Sequence, residues 1–198
     1  RIRFIDADGR LVRTMETDRE PGNAIELAGW IDGHEGAALV QQYVLEKVPG
    51  LPAAKTNPSY RWVDIRTGRA RNLAPEPDIA KLKQPVPARF GSRWSFPGFE
   101  PIYAVDRQLD KVTVLAESGV WLSKPGEKRL IWLAVERETG LTAVHSYDPE
   151  TGRHRTQTLN GFAWESIRDI RLADGKWLVL HTDSYPMRHE LRFIRCTV

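Results

Sequence analysis

Ser146-Tyr147-Asp148-Pro149-Glu150-Thr151-Gly152-Arg153 reads as an apolar strand ending at Asp148, a turn closed by Gly152, and a polar strand leaving through Arg153, His154 and Arg155. An aspartate in this place accepts backbone N–H groups of its own turn, and the glycine supplies the positive φ that closes it. The same text stands earlier as Trp62-Val-Asp-Ile-Arg-Thr-Gly-Arg69, with Asp64 and Gly68 in the same relation. A weaker copy is Tyr103-Ala-Val-Asp-Arg-Gln-Leu-Asp-Lys111, and Phe4-Ile-Asp-Ala-Asp-Gly-Arg10 is one residue shorter in its turn. Asp64, Asp106 and Asp148 stand 42 residues apart. A fixed period of about 40–45 residues with a strand-turn-strand in each copy predicts a β-propeller.

Working outward, residues 2–5 and 10–15 flank Asp-Gly, the strongest short hairpin signal. Residues 25–33 read as a strand. The interval 37–48 has Val40, Tyr43, Val44 and Val48 at helical spacing, but blade order asks for a second strand across Ala38 to Leu45. Tyr60 to Leu73 is the next hairpin. Residues 75–101 carry six prolines, which remove ladder donors and fix φ, so only a short strand near Arg89 to Phe96 is expected there. Ile102 to Val105 and Lys111 to Ala116 follow as a hairpin. Strands are then expected at 119–123, 129–136, 141–147 and 153–159, and at 167–172, 176–182 and 190–198. The expected fold is thus all-β, an arc of about four to five four-stranded antiparallel blades. The blade parts are roughly 1–16, 25–75, 79–116, 119–159 and 163–198. Both Arg1 and Val198 fall inside strand patterns, which predicts a piece excised from a longer chain and a larger ring.

The 198 residues are 41% hydrophobic and 28% charged, ample for a folded core. Net charge is +3 with acids and bases interleaved, so no nucleic-acid partner is indicated. The apolar runs are far too short to span a bilayer, so no membrane partner is expected. Cys196 is the single cysteine, which forbids an intrachain disulfide and leaves the compartment open.

Candidate chemistry is sparse. His34-Glu35 and His189-Glu190 both lack the second histidine of a zinc-protease helix, and no cysteine pair exists, so neither a metal nor a cofactor is expected. Ser92, Ser118 and Ser123 lack the Gly-x-Ser-x-Gly setting of a hydrolase elbow, and no catalytic residue is assigned. The repeated aspartates are read as turn devices, and His145 and His154 as half-exposed residues flanking a hairpin. The most site-like stretch is Arg93-Trp-Ser-Phe-Pro-Gly-Phe99, where Arg93, Trp94, Phe96 and Phe99 would make a recognition surface. Tyr185 and Arg188 form a second loop of this kind.

Gly29-Trp-Ile-Asp-Gly33, Val40 to Tyr43 and Arg61-Trp-Val-Asp-Ile-Arg-Thr-Gly-Arg-Ala-Arg71 resemble blades of the propeller in the prolyl oligopeptidase family of serine peptidases. The likeness covers mainly residues 25–73 and 144–159. It implies an α/β-hydrolase domain on the same parent chain as partner, carrying the catalytic triad, and a peptide or protein substrate. No position here matches those triad motifs, so the segment would gate substrate access without catalysing. The alternative is a protein- or ligand-binding propeller scaffold with no enzymatic activity.

Overall fold

In a computed structural model, residues 1–16, 22–47, 49–50, 53–89, 100–135, 140–163, 167–173, 176–184 and 187–195 are described. They form fifteen strands and one 3-10 turn, Ile79–Lys81, with no α-helix among them. The all-β class therefore holds. The chain divides into two compact units, Arg1–Gly91 with Tyr103–Leu115, and Ser92–Ile102 with Ala116–Val198.

The first unit begins with a hairpin, β1 (Ile2–Ile5) and β2 (Leu11–Met15). Four consecutive antiparallel strands follow: β3 (Asn23–Ile31), β4 (Ala37–Glu46), β5 (Ala54–Asp64) and β6 (Ala70–Pro75). The ambiguous interval is thus a strand. Its residues are buried on both faces, which overrides their helical spacing. β7 (Val86–Arg89), β8 (Glu100–Val105) and β9 (Lys111–Trp121) come next. A short strand stands at Val86–Arg89, and the one expected near Arg89 to Phe96 falls, beyond Arg89, on residues 90–99, which lie outside the described ones.

Pairing decides the architecture. β3 pairs with β7, β7 with β8, β8 with β9, and β9 runs parallel to β6, so seven strands close on themselves. Every strand of the ring contributes to one core: Ala28 and Ile31, Ala37 and Leu39, Tyr60, Leu73, Ala88, Tyr103 and Val105, and Val112. Propeller blades would meet through side chains, whereas these strands are joined by backbone hydrogen bonds. The arrangement is barrel-like, and a propeller is not established. A ring of this size is just wide enough for side chains to fill.

Two seams close the ring. At β3–β7, Gly29 has φ +147, and a Cβ there would come within 2.8 Å of the Arg89 amide nitrogen. Only glycine lets the two backbones approach this closely. Beside it the Asp32 amide donates to the Pro87 carbonyl at 2.9 Å, and Arg89 Nε donates to Asp32 Oδ2 at 2.6 Å between largely buried side chains. At β6–β9, the amides of Ala74 and Glu76 donate to the carbonyls of Asp110 and Val112. Pro75 lies between them, at a position whose missing N–H would point away from β9. The Glu76 carboxylate accepts from Lys111 Nζ at 3.1 Å, and Thr113 Oγ1 donates to the Glu76 carbonyl. The bond to Lys111 holds the Glu76 carboxyl below its ordinary range.

In the second unit, the later half of β9 pairs with β10 (Leu130–Val135), then β11 (Leu141–Asp148) and β12 (Arg153–Ala163), all antiparallel. Gly119 is required in β9, since a Cβ there would overlap the Leu133 carbonyl. A separate antiparallel sheet contains β13 (Ile167–Ala173), β14 (Lys176–Ser184) and β15 (Met187–Arg195).

Candidate functional site

The four repeated turns share one geometry. Asp6 Oδ1 accepts from the amides of Asp8 and Arg10 at 3.0 and 2.8 Å, Asp64 Oδ1 from Arg66 and Thr67 at 2.9 and 3.0 Å, and Asp148 Oδ1 from Glu150 at 2.9 Å. These bonds hold the Asp64 and Asp148 carboxyls below their ordinary range. In the weaker copy Asp106 accepts from Asp110 at 2.7 Å, and Leu109 takes the positive φ (+57) that glycine takes elsewhere. The strain of a left-handed leucine, roughly 1–2 kcal/mol, is offset by burying its side chain in the barrel core. The aspartates are committed to their turns.

Three other places collect chemically distinctive side chains. The first is the outer face of the N-terminal hairpin. Its inner face is spent on packing, with Phe4 buried against Ala38 and Ile65, and Arg13 Nε donating to the Ile65 carbonyl at 3.0 Å. Ile5 and Leu11, paired across the strands, are 60% and 59% exposed, and Val12 beside Leu11 is 46% exposed. Trp30, edge-on to Phe4, is also partly exposed.

The second is a polar column inside the barrel. Tyr103 donates to Gln41 Oε1 at 3.1 Å, Gln41 Nε2 reaches the Tyr60 hydroxyl at 3.5 Å, and the two tyrosine rings meet edge to face at 5.6 Å. Burial raises the Tyr60 pKa above its ordinary value; a hydrogen bond from Tyr103 opposes this, and the charge of Glu26 adds to it. Glu26, opposite Gln41, accepts from Tyr43 at 3.1 Å and from Lys55 at 2.6 Å, and the Lys55 ammonium lies 4.6 Å from the centre of the Tyr43 ring. Burial first, and Glu26 second, raise the pKa of Tyr43. This column satisfies its polar atoms within itself, so it acts as structure.

The third is an aromatic cluster on one face of the meander. His145 stacks on Trp132 at 5.2 Å with an interplanar angle of 6°, His154 stacks on the same indole at 5.4 Å, and the two imidazoles lie 5.5 Å apart. Trp121 and Tyr147 meet the group edge-on. Trp132 is buried, at 1% exposed, whereas His154 is exposed at its rim. Thr156 Oγ1 lies 3.1 Å from His145 Nδ1. Partial burial lowers the pKa of His154.

Of the residues expected to form a recognition surface, Arg93, Trp94, Phe96, Phe99 and Tyr185 lie outside the described residues. Arg188 is in β15, opposite Asp183 of β14, with its side chain outside the description. The histidine–indole cluster was missed because stacking depends on register across three strands. The hairpin face had a signal: Leu11 and Val12 are consecutive apolar residues in a strand, so alternation cannot turn both toward one core. Among the described residues no group of three metal-ligating side chains converges. No protein-family model, no curated protein and no solved structure matches this chain.

Proposed function

We propose that this chain is a non-catalytic binding module that takes an extended segment of a partner protein along its N-terminal hairpin. The observation that carries this reading is the exposed cross-strand pair Ile5 and Leu11 beside sheet edges that, among the described residues, pair only within the hairpin. An unpaired edge offers backbone donors and acceptors to an incoming strand, and apolar side chains beside it select what that strand carries. A hairpin already anchored by Phe4 and Arg13 presents this edge without having to order itself first. Arg3 and Arg10 border the apolar pair, so the favoured partner has apolar residues flanked by aspartate or glutamate.

Selection from a displayed random-peptide library tests this. Apolar peptides with acidic flanks are expected, with affinity falling at least about tenfold for an Ile5→Lys, Leu11→Lys variant. Peptides that bind wild type and variant equally would overturn the assignment.

A second reading rests on the two four-stranded antiparallel meanders, β3–β6 and β9–β12, each with an Asp–Gly hairpin of the kind that carries the resemblance to prolyl oligopeptidases. In it the meanders are blades of a propeller arc, the chain gates peptide access, and an α/β-hydrolase domain supplies the catalytic serine. A serine-directed fluorophosphonate probe applied to the full-length parent protein decides it. Labelling supports the peptidase, and its absence ends that reading.

A further inference from the structure

We infer that the partner strand adds to the free edge of β1, not of β2, and that Trp30 selects its central side chain. This rests on the hairpin reading above and fixes its edge, its register and the partner's pattern. The Asp6 amide donates across the turn to the Arg10 carbonyl at 3.0 Å. Backbone groups alternate along a strand, so those of Phe4 and Ile2 turn toward β2 and those of Arg3 and Ile5 turn away from it. Among the described residues β1 pairs with β2 and with no other strand. On β2 the extra residue Val12, between the partners of Phe4 and Ile5, interrupts the ladder, and a bulge of this kind guards an edge against pairing. The regular edge is that of β1.

What stands beside that edge follows from how the hairpin lies on the barrel. Phe4 packs on Ala38 of β4 and meets Trp30 of β3 edge-on, with ring centres 6.0 Å apart. Arg13, opposite Phe4 on β2, instead reaches the Ile65 carbonyl just past β5. β1 therefore lies on the β3 side and β2 on the β5 side, which sets Trp30 alongside the free edge of β1. Trp30 is 37% exposed, so part of its ring is open to a second neighbour.

These positions define what the added strand carries. Antiparallel pairing is the more stable per residue, and side chains alternate between the faces of a strand. In its own direction the partner thus places one residue opposite Ile5, the next opposite Phe4 and the next opposite Arg3. The first shares the outer face with exposed Ile5 and is apolar. The second turns toward the barrel and meets the open part of Trp30, so it is bulky and apolar or aromatic. The third lies across from Arg3, which is exposed and has no ion-pair partner among the described residues, so it is aspartate or glutamate. A cationic residue is disfavoured at all three positions, because Arg1, Arg3, Arg10 and Arg13 stand on the same hairpin.

The test uses the intact chain and displayed heptapeptides whose three central positions are randomised. Wild type is expected to select apolar, bulky apolar and acidic, in that order. A selected peptide should protect the Arg3 and Ile5 amides from hydrogen exchange and leave the Thr14 amide of β2 unchanged. Trp30→Ala should weaken that peptide about tenfold and level the preference at the central position alone. Arg3→Glu should turn the third position from acidic to basic. Being at an exposed site, that variant reads the register independently should the loss of Trp30 loosen the hairpin. Protection of Thr14 in place of Arg3 and Ile5, a central preference that survives Trp30→Ala, or a third-position preference that survives Arg3→Glu would each overturn this edge and register. The hairpin reading itself stands in those cases if the peptides are still lost to Ile5→Lys, Leu11→Lys, whereas a library that yields no binder overturns both.

Discussion

The meander β3–β6 and the meander β9–β12 carry the same hairpin text, Asp64 to Gly68 in one and Asp148 to Gly152 in the other, yet end in different architectures. The first is drawn into a closed ring by β7 and β9, through the Asp32–Arg89 pair, the glycine contact at Gly29 and the parallel seam at Glu76. Its interior is specified by hydrogen bonds among Tyr103, Gln41 and Tyr60. The second is an open antiparallel run with titratable rings stacked on one face. Hairpin chemistry therefore sets which neighbouring strands pair. It says nothing about how a run of strands ends.

The strongest way to break the contrast is at the seam. Arg89→Ala leaves Asp32 charged, largely buried and unpaired, and should cost about 3–5 kcal/mol in urea unfolding. Asp32→Ala should cost a similar amount, with the double variant less destabilised than the sum of the two. Full additivity would show that the pair does not close the ring.

Inside the barrel, Tyr103→Phe leaves Gln41 Oε1 without its donor and should cost about 1–3 kcal/mol, read from the same unfolding curves. A neutral substitution would mean that the polar column does not specify the interior.

The matched glycines sharpen the comparison further. At Gly152 a methyl group meets open space, so Gly152→Ala should cost only the left-handed backbone, about 1–2 kcal/mol. At Gly68 the same methyl collides with the Arg13 guanidinium, which is bonded to the Ile65 carbonyl. Gly68→Ala should therefore cost more by about 1 kcal/mol, and equal thermal shifts would separate the hairpin from the barrel.

The smallest effect concerns the turn carboxylates. Both Asp64 and Asp148 have lowered pKa values, so their contribution is full above the ordinary carboxylate range and fades as pH falls through the folded-state values. Asp64→Asn and Asp148→Asn should each flatten the acid limb of the stability curve by similar small amounts. A gap that stays constant with pH would contradict the turn assignment.

Much of the local structure was legible before any coordinates. Strands around Asp6, Asp64, Asp106 and Asp148 follow from aspartate and glycine chemistry acting within four or five residues, and the predicted strands at 129–159 and 167–182 reappear with shifts of a few residues, whereas the separate strands expected at 111–116 and 119–123 are one continuous strand, β9. The helical spacing in residues 37–48 misled less than it threatened to, since burial on both faces holds that segment extended. The recognition residues placed at 93–99 and 185 have no described counterpart, and the surfaces described instead, at Ile5 and Leu11 and at Trp132, depend on what faces what.

The sequence by itself determined the strand order and the turn chemistry, because both arise from contacts between residues close in the chain. Only the tertiary structure decided that β3 meets β7, that β6 meets β9 in parallel, and that two histidines share one indole. Those contacts join residues far apart in the chain, Asp32 and Arg89 being separated by 57 positions, and no repeat in the text encodes a hydrogen bond between strands that are not neighbours. A 42-residue period is compatible with blades side by side or with a ring that closes. The choice between them rests on a bare Cα at Gly29 and a buried ion pair beside it.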